Sequence, residues 1–316
     1  MIGGTPITPL SSIGGLLRVD KSKGPSSHRA VAIARKALGT RDVGHAGTLD
    51  PLASGVLVLG VAEGLKLLRY IVLDDKRYRA TVVLGAETTT LDTEGEVTAR
   101  KPLPEGLDVA RVQAVANRFV GAIEQQVPEI SAVKQGGTAL YKRARRGEKV
   151  DAPVRSVVVH ALTILAVAGD RIELEVSCGK GFYVRSLARD LAHALDTVGH
   201  IGELRRLQSG EHTLEHALPL EVLERAAQGD EAARAEATAA LIAPSAALPD
   251  AVRLTLSEEG ATHARHGRAV LAQHTLEGAL PSELEPILLL DAAGTLLALA
   301  RRDGEALRIV RGIKQA

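Results

Sequence analysis

The stretch G-H-A-G-T-L-D-P-L-A-S-G at residues 44–55 runs directly into the apolar segment V-L-V-L-G-V at 56–61. The apolar segment lacks polar alternation, so it reads as a strand buried on both faces. The Gly-punctuated stretch before it reads as a loop that presents Asp50 at the start of a rigid element. On spacing alone Asp50 keeps two roles open. Asp-Pro is a common turn start, and Asx turns use such an Asp; a carboxylate on a braced loop is also well placed to act on a bound substrate. His45 has three open roles: general base, stacking ring or hydrogen bonder within the loop.

Working outward, residues 16–20 predict a short strand. A helix follows, capped by Ser26 or Ser27, with Val31, Ala34 and Leu38 on one face and Gly39 as its stop. Further helices are expected at 65–73, 108–119 and 183–195, and strands at 77–85 and 96–100. The clearest hairpin joins 156–168 to 171–177 through Gly169-Asp170, with Ile172, Leu174 and Val176 facing inward. Strands and helices mixed without regular βαβ spacing indicate an α+β fold around a mixed, largely antiparallel sheet flanked by helices. Residues 219–250 read as helix and then linker. Beyond them, short strands near 253, 286–291, 296–300 and 307–311 and a helix near 257–266 predict a small β-barrel. The expected organisation is an extension at 1–13, a main domain at 14–249 and a C-terminal module at 250–316.

Composition narrows the function classes. Hydrophobic residues make up 45% and charged residues 24% of the 316, as in an ordinary soluble globular protein. No apolar run reaches the roughly 18 residues of a membrane span. Residues 1–13 lack the basic start and long apolar stretch of a signal peptide, so a flexible extension of a cytoplasmic protein is expected. Cys178 is the only cysteine, which excludes an intramolecular disulfide and a cysteine-based zinc site; in the alternating L-E-V-S-C it reads as a buried structural thiol. The remaining histidines lack ligand-like spacing.

The chain has no Trp, four Tyr and two Phe. Tyr78 lies in K-R-Y-R, Tyr141 in L-Y-K-R-A-R-R-G, and Phe182 and Tyr183 in G-K-G-F-Y-V-R. Rings beside cations suit bases stacked along a phosphate backbone. The basic run from Lys134 through Lys142, Arg143, Arg145 and Arg146 to Lys149 suits phosphates too, although charge alone fits a solvated face equally well.

The motif at 44–57 closely resembles the signature loop G-H-x-G-x-L-D-P-x-A-x-G-x-L of the TruB family of tRNA pseudouridine-55 synthases. The resemblance continues in register through 16–27, D-K-R-Y-R-A at 75–80, L-G-A-E-T-T-T-L-D-T-E-G at 84–95, S-A-V-K at 131–134, G-K-G-F-Y-V-R-S-L-A-R-D-L at 179–191 and L-R-R-L at 204–207. It covers roughly residues 14–210, and the C-terminal module resembles the PUA domain, an RNA-binding β-barrel. Departures are Ser22 for the usual proline, Thr89 for an acidic residue, Glu129 and Ile130 before S-A-V-K, and Gly179 and Phe182 for the frequent Ser and Thr.

The resemblance implies a pseudouridine synthase fold and an enzyme that isomerises uridine at position 55 in the T-loop of tRNA. It implies Asp50 as nucleophile, Arg185 as its partner, Tyr78 as the ring stacked on the target base, and Tyr183 and Leu204 as pocket-lining positions. His45 corresponds to the histidine that fills the space left by the flipped base. Lys21 and Lys134 are candidate phosphate contacts. The implied partner is the tRNA T-arm, bound by a monomer without metal, cofactor or membrane. Two rival readings are an RNA-binding protein without turnover and a guide-RNA-dependent synthase. The set Asp50, Tyr78 and Arg185, which binding alone does not require, separates the first; the stand-alone pattern, including the basic stretch at 134–149, separates the second.

Overall fold

The computed structural model describes residues 14–314 except 74, 132, 145, 147, 149, 150, 283 and 284, and leaves out the side chains of Lys134, Ala139, Tyr141 and Ala144. The extension expected at 1–13 lies outside the described residues. β1 (Gly14–Lys21) leads into α1 (Ser27–Leu38). Ser26 accepts the Arg29 N–H at 3.1 Å, and Gly39 closes the helix in the left-handed region at φ 66°. β2 (Val43–Ala46) and β3 (Ser54–Ala62) follow, so the signature stretch begins as a strand paired with β3 and only its middle is loop. The helix expected at 65–73 is instead a 3₁₀ turn, Glu63–Lys66, and the single turn α2 (Leu68–Ile71). Gly60 packs directly under that turn, where a Cβ would come within 2.8 Å of the Gly64 carbonyl.

β4 (Lys76–Leu84) precedes the small hairpin of β5 (Ala86–Thr88) and β6 (Val97–Arg100). α3 (Val109–Ala116) is capped by Asp108, and β7 (Gly121–Gln126) follows. The basic stretch holds the two-residue strands β8 (Lys134–Gln135) and β9 (Thr138–Ala139) and then α4 (Leu140–Ala144). β10 (Val154–Ala168) and β11 (Arg171–Cys178) form the expected hairpin, with Gly169 at φ 59° and Ile172, Leu174 and Val176 fully buried. α5 (Val184–Ala194), β12 (Gly199–Ser209), β13 (His212–Thr213), β14 (Leu218–Pro219), α6 (Leu220–Ala227) and α7 (Glu231–Ala239) complete the main unit.

The strands make one mixed sheet in the order β14-β1-β3-β12-β4-β11-β10-β7, with β2 on β3 and β13 on β12. All its pairings are antiparallel except β1–β14 and β3–β12. Helices α1, α3, α5 and α6 cover one face with Ala30, Val112, Leu187 and Leu223, against Leu17, Leu59, Val82, Leu174 and Ile201. β12 was not expected. It sits in the middle of the sheet, yet glycines and arginines interrupt its apolar pattern.

β15 (Val252–Thr255), α8 (Glu258–Arg265), β16 (Val270–Leu271), β17 (Ile287–Leu290), β18 (Leu296–Asp303) and β19 (Ala306–Gly312) form the C-terminal unit. Its five strands, ordered β15-β17-β18-β19-β16, make a curled half-barrel with α8 packed on it. A second apolar core joins it to the far face of the main sheet: Leu16, Val56, Val58, Leu67 and Ile71 meet Ala247, Leu288, Leu296 and Leu299. β3 is therefore buried on both faces, as its sequence predicts, and the loop in front of it is anchored on a doubly packed strand.

Candidate active site

Asp50 sits between β2 and β3 on a loop fastened from several sides. The Ser27 hydroxyl, at the start of α1, accepts the Leu49 N–H at 2.7 Å and donates to the Leu49 carbonyl at 2.9 Å. Arg206, on β12 and 1% exposed, donates from Nε to the Val56 carbonyl at 2.7 Å and from Nη2 to the Gly47 carbonyl at 3.2 Å. Gly24 N donates to the Pro51 carbonyl at 2.8 Å, tying the loop to the turn after β1. The Asp50 side chain keeps 34% of its surface exposed. Its loop is held at the backbone, and its carboxylate stays partly open to the cleft.

Arg185, in the first turn of α5, lies beneath it. Arg185 Nε is 2.9 Å from Asp50 Oδ2. No hydrogen bond to that Nε forms, so the contact is an ion pair out of line with the N–H. The rest of the guanidinium is committed: Nη1 donates to the Thr90 carbonyl at 2.7 Å and Nη2 to the Ile130 carbonyl at 3.1 Å. A second carboxylate, Asp92, lies 3.9 Å away and is itself held by the Thr90 hydroxyl and by Glu94 N at 3.0 Å. One buried cation thus serves two carboxylates, one buried and one open to the cleft. Burial raises the pKa of nearby Glu94, and Asp92 and Asp50 push it further in the same direction.

The cleft above Asp50 encloses about 250 Å³, on the scale of a single nucleoside, and is lined by Tyr78, Phe182, Tyr183, Arg185, Leu204 and Arg206 among others. The sheet brings these together from distant parts of the chain. Tyr78 on β4 is in register with Arg206 on β12 and Val176 on β11. Tyr183 precedes α5 and is gripped by the Gln125 amide, which accepts its N–H at 2.8 Å and donates to its carbonyl at 3.1 Å. Burial raises the pKa of both tyrosine hydroxyls, so they stay protonated near neutrality. Cys178 also lines the cleft, but burial pushes its thiol up to about 12, which removes the thiolate a nucleophile would need.

The other candidate residues lie elsewhere. His45, on β2, is outside the cleft lining; its ring meets His28 edge-on at 5.5 Å, and its buried Nδ1 has no hydrogen-bond partner among the described residues. Burial lowers its pKa, with His28 and Arg206 adding to the effect. Lys21 is fully buried and donates to the Ser22 and Pro25 carbonyls at 2.9 Å each, bracing the turn in which Ser22 replaces the usual proline. In this position it cannot meet a phosphate, which corrects the expectation for it. Burial, assisted by Arg206, brings its pKa down to about 8, against the opposing pull of Asp50 and Glu94. The Lys134 side chain lies outside the described residues. In the basic stretch Arg143 and Arg146 both turn to Glu148, at 2.7 and 3.5 Å.

Asp92, Arg206 and Gln125 were not singled out from the sequence, and Ser27 only as a candidate helix cap. Asp92 and Arg206 do fall inside the matching segments at 84–95 and 204–207. A larger cavity of about 990 Å³, between the strand ends and the half-barrel, shares only Lys76 with the Asp50 cleft. Among the described residues one three-residue set, Glu259, His263 and His274, has metal-like proximity. Leu271 N donates to His274 Nδ1 at 3.1 Å, which leaves the ring proton on Nε2, facing Glu259 at 3.8 Å. His274 therefore offers no lone pair, and the set does not fit a metal ion as arranged. No described helix is long and apolar enough to cross a membrane.

Residues 35–184 match the TruB family pseudouridylate synthase (N terminal domain), and residues 185–248 match the tRNA pseudouridylate synthase B C-terminal domain. The tRNA pseudouridine synthase B of Xanthomonas axonopodis pv. citri (strain 306) is 39% identical over 290 residues, covering 92% of this chain and 91% of that one. The chain belongs to the TruB family. The tRNA pseudouridine synthase B of Nocardia farcinica (strain IFM 10152) is 47% identical over 222 residues, 69% of this chain and 72% of the relative. A solved structure of an H/ACA RNP bound to a substrate RNA containing 2′-deoxyuridine shares the fold, with a TM-score of 0.72 at 21% identity over 98% of this chain and 88% of that one. As a TruB-family tRNA pseudouridine synthase, the enzyme isomerises uridine in tRNA. The two matched regions are not two folding units: β12, from the second, is a central strand between β3 and β4 of the first.

Proposed function

We propose that this enzyme converts uridine to pseudouridine at position 55 in the T-loop of tRNA, with Asp50 as nucleophile. The observation that supports this most is the Asp50–Arg185 ion pair at 2.9 Å, set in the floor of a cleft of nucleoside size whose walls include two tyrosines. The reaction breaks the bond from the ribose to N1 of the base and makes one to C5, and the C5 proton is replaced by one on N1. Atoms and electrons balance without an oxidant or an activated co-substrate. What the site must supply is a carboxylate to bond the ribose or the base transiently, and walls that keep the detached ring from leaving.

In this reading a T-loop uridine leaves its stack and enters the cleft, at a cost of a few kcal/mol that ring contacts offset. Tyr78 stacks on the base, while Tyr183 and Leu204 line its pocket. His45, outside the cleft and beside it in the fold, takes the place the base leaves. Lys134 contacts phosphate, and residues 250–316 add RNA contacts to the catalytic unit at 14–249. The enzyme acts as a monomer in the cytoplasm.

The test is incubation of the purified enzyme with an unmodified tRNA transcript and no added cofactor, followed by mapping of pseudouridine. A single product at position 55 is expected. Asp50→Asn should lose at least about 10⁴-fold in rate and bind the RNA as before. Full turnover in that variant would remove Asp50 from the nucleophile role.

A further inference from the structure

Arg206 is a fully buried guanidinium that the reaction as described does not use. Its place in the sheet is specific: on β12 it is in register with Gly55 of β3 on one side and with Tyr78 of β4 on the other. Its Nε and Nη2 bond the Val56 and Gly47 carbonyls, which bracket the loop carrying Asp50. The loop is shaped to meet it. Gly55 has φ +105°, and a Cβ there would fall 2.1 Å from the Arg206 carbonyl. Among the described residues no carboxylate pairs with Arg206, so its buried charge is met by two carbonyls and the Tyr78 hydroxyl, an expensive arrangement where packing alone is needed.

We propose that Arg206 is a positioning residue: its guanidinium fork spans both ends of the 47–56 loop and sets the Asp50 carboxylate in register with the Tyr78 ring. Arginine suits this because its donors are fixed in one plane and reach two carbonyls at once, which an ammonium on a flexible stem does not reproduce. Arg206 also faces Tyr78 and His45 electrostatically: its charge opposes the burial that raises the Tyr78 pKa and adds to the burial that lowers that of His45. The inference rests on Asp50 being the nucleophile.

The experiment compares wild type, Arg206→Lys, Asp50→Asn and a stability control, Val112→Ala, in the buried face of α3. Single-turnover rates at saturating T-arm RNA are read beside RNA affinity and thermal unfolding. Arg206→Lys keeps the charge and loses the fork. It should slow the chemical step about 10²-fold, the cost of a displacement of roughly 1 Å at a reacting group, while affinity stays within about threefold of wild type. Val112→Ala should lose stability and keep its rate. In Arg206→Ala, added methylguanidinium should restore part of the rate, and the His45 ring should titrate at higher pH by NMR. A wild-type rate in Arg206→Lys overturns the proposal, as does a rate loss that follows unfolding temperature in both Arg206→Lys and Val112→Ala. If Arg206→Lys does not fold, Arg206→Gln is measured against the same criteria; if neither folds, Arg206 is a core residue and the positioning role is rejected. Failure of the nucleophile reading is separate, because it shows as turnover in Asp50→Asn whatever Arg206 does.

Discussion

At the scale of single residues, the site depends on how few degrees of freedom Arg185 retains. Two carbonyls take its terminal nitrogens, and the buried Asp92 carboxylate approaches its Nε at 3.9 Å. Asp92→Ala removes that buried anchor and lets the guanidinium drift toward Asp50, so turnover should fall about 10²-fold, with RNA affinity retained; equal rates in a single-turnover assay would show the anchor to be dispensable. Away from the cleft, His212 is 5% exposed, and burial, with Arg18 adding to it, takes its pKa down to about 4. Between pH 6.5 and 4 the unfolded chain binds the proton that the folded one refuses, so this stabilising contribution is lost as pH falls through that window. Denaturant titrations should show wild type losing about 2–3 kcal/mol more than His212→Gln between pH 7 and pH 4.5. The residues that line the cleft were legible, because Asp50, Tyr78, Tyr183, Leu204 and Arg185 each sit in a recognisable motif. Those that hold them were not. Arg206 reads in sequence as one more surface arginine, and only the sheet shows what its two neighbours are.

At the scale of elements, the signature loop is a clamp closed from three directions: α1 through Ser27, β12 through Arg206, and the turn after β1 through Gly24. Ser27→Ala leaves both polar groups of the buried Leu49 backbone without a partner, at a cost of about 1–3 kcal/mol. It should therefore lower stability and rate together, as thermal unfolding and single-turnover assays would show; a stable variant with normal turnover would mean that the loop is held without α1. The predicted β3, α1 and β10–β11 hairpin are where the sequence places them, because each has an uninterrupted period and chemically marked ends. β12 escaped for a physical reason. Gly199 and Gly202 pack where side chains do not fit, a Cβ at either coming within 2.8 Å of a neighbour, and Arg206 is buried by bonding carbonyls, so the apolar signal of a central strand is missing. The segment 63–71 fails as one continuous helix because the chain breaks at Leu67 into a 3₁₀ turn and a single α turn, although Leu67, Leu68 and Ile71 pack into one core.

At the scale of the molecule, the half-barrel is not a detachable appendage. Leu16, Val56, Val58 and Leu67 are fully buried and Ile71 is 1% exposed, in the core it shares with the main sheet. Each such side chain is worth about 1.5–3 kcal/mol, so uncovering them approaches the whole 5–15 kcal/mol of a typical fold. Glu63 also receives Lys314 N at 2.7 Å, and Lys66 donates to the Gly312 carbonyl at 2.7 Å. Removing residues from about 250 onward therefore tests stability before affinity, and an RNA-binding role for this unit needs surface changes instead. The β18–β19 ladder provides them. Arg301 and Arg308 are exposed and directly opposite one another, and among the described residues neither has an ion-pair partner. Like charges placed face to face repel and destabilise a strand pair, unless an anion such as an RNA phosphate bridges them. Replacing both with Ser relieves that repulsion, so the free protein should unfold at the same temperature or slightly higher. If the pair engages tRNA, affinity should drop and the slope of log affinity against log salt should become shallower by about 1–2, with turnover of bound RNA unchanged. An unaltered salt slope would take the tRNA off this face of the half-barrel and leave its role as the cover of β3.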